Sequence, residues 1–376
     1  MYSAVVIGAG PVGSRAAFLL KQQGFDCALI EEHKEIGKPV SCSGLISKSG
    51  TDALRVNFSE GVLVNRIKGA KIHSKNQTLV VEKPETVAYV IDRAAFDVQM
   101  ANYARKIGVE VMLDTKLLNI RKDKLFVERE GRGELLKADF FIGADGAVSK
   151  TRDLLGIKFG PEKFIEGYQV IAKGSFEPEY VELFFGDFAQ NFFAWIIPES
   201  RQRARIGLGT SGYNARESFE KFVSSKSLDI EVISRQSGLI PVGEPIKKPL
   251  LENILIAGNA AFHAKATTGG GILSGMEAAA CAASAIASYY KEKEPVDSYV
   301  KRLQPLYKDL NLHFKIRSYL NSISSEKLDR LFEKAKKAGI EDFLSREGDM
   351  DKPSKFMKKI WLKPKLWPLL PEFLKI

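Results

Sequence analysis

An α/β fold interrupted by an antiparallel β-sheet is predicted for this 376-residue chain by three observations. An apolar stretch at the N-terminus runs into Gly8-Ala9-Gly10-Pro11-Val12-Gly13 and then into a helical pattern. A second glycine-rich turn, Gly258 to Ile272, opens an Ala-rich helix towards the other end. Between the two, short runs of alternating apolar and polar residues, bounded by Gly, Asn and Asp, have the period of strands.

Taken in order, residues 4–7 read as a strand, 8–13 as a turn, 14–23 as a helix ended by Gly24, and 27–30 as a second strand with Glu31 behind it. This is one βαβ unit. In such a unit the first glycine allows the tight turn, the second lets a pyrophosphate approach the backbone, and the third lets helix and strand pack closely. The unpaired N–H groups of the helix start favour a diphosphate. Glu31, 18 residues beyond Gly13, is where a carboxylate accepts hydrogen bonds from a ribose. Gly8, Gly10, Gly13 and Glu31 are therefore candidate cofactor residues, and the domain is Rossmann-like. Two cradling loops far apart in one chain predict a single cofactor long enough to touch both, which describes FAD better than a nicotinamide nucleotide.

Strands are expected within 67–90, a helix over 91–107 ended by Gly108, and strands over 109–113, 125–129 and 138–142, the last followed by Gly143-Ala144-Asp145-Gly146. Residues 161–245 are strand-rich, with 181–185 and 192–197 flanking a turn at 186–191, and 203–208 alongside. A buried strand over 254–257 and a helix over 278–290 return the chain to α/β architecture; from about residue 300 it reads as helical and basic. The FAD-binding domain is thus expected to be discontinuous, over 1–66, 89–160 and 246–300. A β-sheet substrate domain occupies 67–88 and 161–245, and a C-terminal helical, basic region occupies 301–376.

With 45% hydrophobic residues the chain can bury a substantial core. Its 3 Cys, at 27, 42 and 281, form no CxxC pair, which points to a reducing cytoplasm. The 4 His have no zinc-ligand spacing with a Cys, so no metal is expected. The N-terminus enters a strand at once, leaving no room for a signal peptide, and no apolar run reaches membrane-spanning length. The net charge of +10 suits anionic lipid or an acidic redox partner, and no nucleic-acid motif accompanies it.

Assembled, these residues resemble the geranylgeranyl reductase family of flavoproteins, within the para-hydroxybenzoate-hydroxylase-type FAD fold. The resemblance covers roughly 1–300. It rests on the fingerprint with Glu31, on Gly37-Lys38-Pro39-Val40-Ser41-Cys42-Ser43-Gly44, and on Tyr89 to Arg93 with Phe96-Asp97. It rests further on Ala144-Asp145-Gly146 with Ser149 and Arg152, on Phe193-Ala194-Trp195-Ile196-Ile197-Pro198, and on Gly258 to Ile272. The chain departs from the family's pattern at Asn259, where Asp is usual, at Ala266 for Pro, at Phe193 for Tyr, and in a Cys loop one residue shorter than in the archaeal phospholipid reductases. The resemblance implies FAD-dependent reduction of isoprenoid C=C bonds, in archaeal members on ether phospholipids. It implies a prenylated lipid substrate, ferredoxin or NAD(P)H as electron donor, and a peripheral place on the inner face of the membrane. Further FAD contacts implied are Cys42, Ser43, Gly44, Arg93, Leu117, Asp145, Asn259, Gly270, Gly271 and Ile272, with Cys42 also the catalytic candidate. Phe185, Phe193, Trp195 and His263 are the candidate substrate residues.

Several of these residues have a second reading. Cys42 is a proton donor beside the flavin or a small buried hydrophobe. Arg93 contacts the cofactor or pairs with Asp97 four residues on. Asp145 organises the turn below the cofactor or serves local structure alone. His263 and Lys265 bind a head group or relay a proton, or are solvated on a charged loop. The aromatic residues from Phe184 to Trp195 line a lipid tunnel or pack a core. The tail from Asp351 interleaves Lys352, Lys355, Lys358, Lys359, Lys363, Lys365 and Lys375 with Trp361, Leu362, Leu366, Trp367, Leu369, Leu370, Phe373 and Leu374. That is the composition of an interfacial membrane contact or of a tail covering the enzyme's own groove. The rival activities on the same fold are a flavin monooxygenase or halogenase-like enzyme on a small hydrophobic substrate, a quinone-linked electron-transfer flavoprotein, and a non-catalytic flavin- or lipid-binding protein.

Overall fold

The computed structural model describes residues 1–212 and 214–375. Tyr213, Ile376 and the side chain of Phe373 lie outside the described residues. Two large sheets and one small one organise the chain. In the eight-stranded sheet, the strands Tyr2–Ile7, Cys27–Ile30, Glu110–Met112, Arg132–Gly143 and Ile254–Ile256 run parallel, and the short Leu250–Leu251 strand is antiparallel at the edge. Their near-continuous apolar runs follow from burial on both faces. The register brings Ile7, Ile30, Gly143 and Ile256 to one edge. The turns at Gly8, Glu31, Ala144 and Gly258 therefore all emerge side by side, at the carboxyl ends where open α/β sheets bind ligands.

The helix Pro11–Gln22 starts three residues earlier than its apolar period suggests, because Pro11 supplies a first helical position that needs no N–H. It packs between the helices Ile272–Glu292 and Arg93–Lys106. The latter starts at Arg93 rather than 91: Ile91 is the last residue of the Ala88–Ile91 strand, and Asp92 caps the helix by accepting a hydrogen bond from Ala95 N–H at 2.9 Å. The Thr115–Arg121 strand, which carries Leu117, was absent from the sequence reading. It pairs with Lys124–Arg129, whose other edge pairs with the outer half of Arg132–Gly143.

The seven-stranded sheet is built from Gly69–His73, Thr78–Glu82 and five strands between residues 164 and 241. It is antiparallel apart from the pairing of Tyr180–Phe184 with Gly69–His73, which is parallel. The amphipathic helix Ala215–Ser225 lays Phe219 and Phe222 against one face, where Phe184 and Phe188 meet them. The other face carries Phe192, Phe193 and Trp195. A three-stranded sheet of Leu45–Ser47, Leu63–Ile67 and Ala88–Ile91 bridges the two large ones. Beyond residue 300 the chain is helical. Ser325–Lys337, Ile340–Glu347 and Ser354–Ile360 share a small core into which Ile360, Leu366 and Leu369 of the tail also turn. Among the described residues, the Ile272–Glu292 helix has the length and apolar composition to cross a membrane, yet most of it is buried in the protein core.

Candidate active site

One cavity of about 1790 Å³ runs from the first glycine turn to the C-terminal helices. That exceeds the range of ordinary ligand pockets, so it has room for a dinucleotide and a second ligand. At one end, Gly8 and Gly10 line it. A methyl group on Gly8 would lie 2.6 Å from Ala144 O, and one on Gly13 would collide with Gly8 O, so both turns of backbone are closed to side chains. Gly13 itself faces the strand rather than the cavity, as its packing role requires. Glu31 reaches the cavity wall with Oε2 accepting from Ala9 N–H at 2.8 Å and Oε1 beside His33 Nδ1 at 2.6 Å. Leu117 adds backbone to the same end, its side chain buried under the sheet.

Asp145 also borders the cavity, but its carboxylate is spent locally. It accepts from Ser149 Oγ at 2.6 Å and from Thr151 N–H at 2.8 Å, and burial pushes its pKa up. It holds the turn, and the turn's backbone faces the ligand space. Behind it, Arg152 donates to Ala147 O at 3.0 Å and sits among Phe159, Phe164 and Phe262.

At the second turn, the helix Ile272–Glu292 begins at Gly271 with no side-chain cap, so its first N–H groups are open to the cavity. Gly270, Gly271 and Ile272 line this part. Asn259 Oδ1 is buried with no hydrogen-bond partner, and a methyl group on Gly271 would lie 2.5 Å from it. An orphaned acceptor beside a glycine cradle and two uncapped helix starts is the set of groups that ribityl hydroxyls, a diphosphate and the electron-rich edge of a flavin would satisfy. The residues fit FAD. Asn259 keeps the acceptor that the usual aspartate would offer, without its charge.

Between the turns, Cys42 is half-buried on the cavity wall, and Gly44 N–H donates to its Sγ at 3.4 Å. Ser43 lines the wall beside it, while Gly44 turns away at φ 67°. Arg93 borders the same space and grips both oxygens of Asp97 at 3.0 Å, so the helix-start ion pair exists. Its guanidinium borders the same stretch of cavity as Cys42. Burial works to lower the Arg93 pKa; the charge and hydrogen bonds of Asp97 outweigh it and raise it. Sequence reasoning missed the residue that holds this loop. Arg205, from the inserted sheet, donates Nη1 to Ser43 O at 2.7 Å and to Ile91 O at 2.9 Å, and Nε to Glu199 at 2.7 Å.

Beyond Cys42 the wall becomes apolar: Val181, Leu183, Phe192, Phe193, Trp195 and Ile240. Trp195 Nε1 donates to Gln169 Oε1 at 2.9 Å, which leaves its ring free of polar demand. Two of the four substrate candidates stand on this wall, Phe193 and Trp195. Phe185 does not: its strand ends at Phe184, and the ring packs behind the wall against Phe193 and Phe332. His263 is fully buried and away from the cavity, neither solvated nor facing substrate. Its Nδ1 accepts from Gly258 N–H at 3.2 Å, its Nε2 meets Tyr307 Oη at 3.2 Å, and burial lowers its pKa to about 3. A neutral imidazole thus props the second turn. Lys265 is not solvated either; it is buried in an ion pair with Asp351. No cluster of His, Cys, Asp and Glu suited to a metal occurs among the described residues.

A profile of the FAD binding domain family matches residues 1–226. The chain is 30% identical to digeranylgeranylglycerophospholipid reductase 2 of Methanosphaera stadtmanae over 366 residues, covering 90% of this chain and 92% of that protein. It belongs to the digeranylgeranylglycerophospholipid reductase family of FAD-binding proteins. The digeranylgeranylglycerophospholipid reductase of Methanosarcina acetivorans is 29% identical, over 91% of this chain and 90% of that one. The crystal structure of a geranylgeranyl bacteriochlorophyll reductase-like protein from Thermoplasma acidophilum shares the fold, with a TM-score of 0.86, 21% identity and 98% of each chain covered. Family membership makes this chain a flavin-dependent oxidoreductase with FAD as its cofactor, and the resemblance read from the sequence holds.

Proposed function

We propose that this member of the family reduces isolated C=C bonds in the geranylgeranyl chains of a membrane ether-lipid precursor. The observation that carries the reading is the continuity of the cavity: the space between the glycine turns opens past Cys42 directly into the aromatic and aliphatic wall of the inserted sheet. Bound FAD, once reduced, supplies a hydride to an alkene carbon. The chain must then hold the alkene in place, exclude water and deliver one proton to the other carbon. Phe193, Trp195 and Leu183 hold an isoprenoid by apolar contact and keep water away. Cys42 Sγ–H is the proton source, and Arg93, on the same stretch of cavity wall, balances the thiolate left behind. Hydride and proton together saturate one double bond, and the thiolate regains its proton from solvent at the cavity mouth. The uncapped helix start at Gly271 would stabilise the negative charge that the cofactor carries when reduced. Cofactor contacts in this reading come from Gly8, Gly10, Glu31, Ser43, Leu117, Asn259, Gly270, Gly271 and Ile272. Gly13, Gly44 and Asp145 shape the backbone that makes them.

Two finer features belong to the same proposal. The reductant is an external donor, ferredoxin or NAD(P)H, because the dinucleotide turn of the first βαβ unit is taken by FAD. The lipid enters from the inner face of the membrane. Trp361, Leu362, Trp367 and Leu374 are exposed among the tail lysines, and Lys355, Phe356 and Lys359 of the adjoining helix border the cavity. Both readings of the tail contribute, since Ile360, Leu366 and Leu369 pack inward while the exposed residues suit an anionic bilayer.

The test is anaerobic: reduce the yellow protein with dithionite, add a geranylgeranyl ether phospholipid, and follow flavin absorbance and lipid mass together. Reoxidation with a gain of two mass units per bond is expected. A flavin that stays reduced beside unchanged lipid would sink the substrate assignment and turn attention to oxygen chemistry on a small hydrophobic substrate.

A further inference from the structure

Behind the second glycine turn lies a layer of buried charge that the reaction above does not use. Lys265 lines the cavity, and its Nζ is 3.4 Å from where a methyl group on Gly270 would sit. Its backbone N–H donates to Gly270 O at 3.0 Å, and its carbonyl accepts from Gly269 N–H at 2.8 Å. The Lys265 ammonium pairs with Asp351, whose carboxylate also takes the Ser47 hydroxyl; both side chains are almost wholly enclosed. Asp351 arrives from the C-terminal segment, 86 residues away in sequence. Two further side chains fasten the same loop. Arg317 donates to Ala266 O at 3.0 Å and Thr267 O at 2.6 Å and stacks 4.6 Å over the Phe192 ring. His313 bridges Thr267 Oγ1 at 2.6 Å and Asp351 O at 3.2 Å. Burial and then Lys265 push His313 down to about 4, so it adds no charge near neutrality. Asp309, the other buried acid here, is occupied in capping Ser354 N–H at 3.0 Å.

The Lys265 and Asp351 charges cancel each other, and Arg317, held on the Ala266 and Thr267 carbonyls, leaves one further positive charge at the turn. In a poorly solvated site a single uncancelled charge acts on a neighbouring ionic form far more strongly than it does in water. Taking up two electrons and one proton leaves bound FAD one unit more negative. We propose that the Lys265–Asp351 pair sets the reduction potential of the bound FAD, so that the C-terminal segment, through Asp351, decides how readily the cofactor is reduced. Both are positioning residues that act through the turn. This rests on bound FAD and not on the lipid assignment.

The experiment is spectroelectrochemical titration of the holoprotein at pH 7 with no lipid present, on wild type, Asp351→Asn, Lys265→Met and the double variant Lys265→Met/Asp351→Leu. Asp351→Asn leaves the ammonium uncancelled, and the reduced-to-oxidised ratio at a fixed potential is expected to rise about tenfold, equal to about 30 mV for this two-electron couple. Lys265→Met leaves the carboxylate uncancelled, and the ratio is expected to fall by about the same factor. The double variant, which loses the pair but no net charge, is expected to return towards the wild-type value. Shifts of the same sign in both single variants, no shift in either, or a double variant displaced further than both would overturn the proposal. So would loss of flavin from both single variants, which marks the pair as a structural clamp. Failure of lipid turnover would leave these potentials unaffected, so the two proposals are tested separately.

Discussion

The two glycine turns line one cavity side by side and are held by different means. Gly8–Gly13 is fixed from within: its own strand and helix lock it, and the collision a Gly13 methyl would make is with Gly8 of the same turn. Gly258–Ile272 is fixed from outside, by His263 on Tyr307, Arg317 on Ala266 and Thr267, and Lys265 on Asp351. The first turn is a local structure that a short sequence specifies. The second is fastened by side chains from the last quarter of the chain. The half of the site that would hold the flavin ring in the proposed reading is thus fastened by the most distant part of the sequence.

The largest effect expected is at the self-locked turn. Gly13→Ala forces helix and strand apart, should cost about 3 kcal/mol as an overpacked core does, and should leave the protein colourless. Thermal unfolding of the apoprotein together with FAD titration checks this; a stable yellow Gly13→Ala protein would break the comparison. Between the turns, Cys42→Ala should leave the protein yellow while single-turnover flavin reoxidation by lipid slows about 100-fold, the loss typical of a missing proton donor. An unchanged rate would assign the proton to another group.

At the externally held turn, Arg317→Met removes the donor to two buried carbonyls and should destabilise the protein by about 2 kcal/mol. Hydrogen exchange should show protection falling over 265–271 and persisting over 8–13; equal loss in both would mean that the turns are not separately held. The effect that is most gradual is a pH slope. The buried His263 has a folded value of about 3, and an unfolded chain binds its proton below the ordinary 6.5. Stability from the neutral ring is therefore present above 6.5 and is lost as pH falls towards 3, at up to about 1.4 kcal/mol per pH unit. Urea unfolding between about pH 7 and pH 5 should give a shallower slope for His263→Gln than for wild type; identical slopes would place the histidine in contact with solvent.

The same contrast decides what was legible in the sequence. The strand–turn–helix at residues 2–22, Glu31, the second turn and the strand-rich insertion are written in neighbouring residues, where sterics and period act locally. His263 and Lys265 were misread for the opposite reason. Polar residues in a loop look solvated until Tyr307 and Asp351, 44 and 86 residues away, are folded onto them. Arg205 gave no signal, since its partner Ser43 is 162 residues distant. Alternation sorted the aromatic cluster only in part. Phe184 and Phe188 turned to the helix-covered face and Phe192, Phe193 and Trp195 to the cavity, while Phe185 fell past the strand end, where period no longer fixes a direction. The Thr115–Arg121 strand went unread because its pairing is irregular at Phe126 and Val127 and its edge faces the ligand space.

The Arg205 bridge has a consequence for heredity and for engineering. Its strand belongs to the inserted sheet, yet two of its three partners, Ser43 and Ile91, lie at the three-stranded sheet that bridges it to the other large sheet. A chimera that grafts this sheet onto another flavoprotein scaffold would bring the arginine without a loop to receive it. One that grafts the 41–44 loop alone would bring a thiol with no anchor. The inserted sheet and the 41–44 loop are a single transplantable module, and variation that retunes one without the other has to pass through a loosened intermediate.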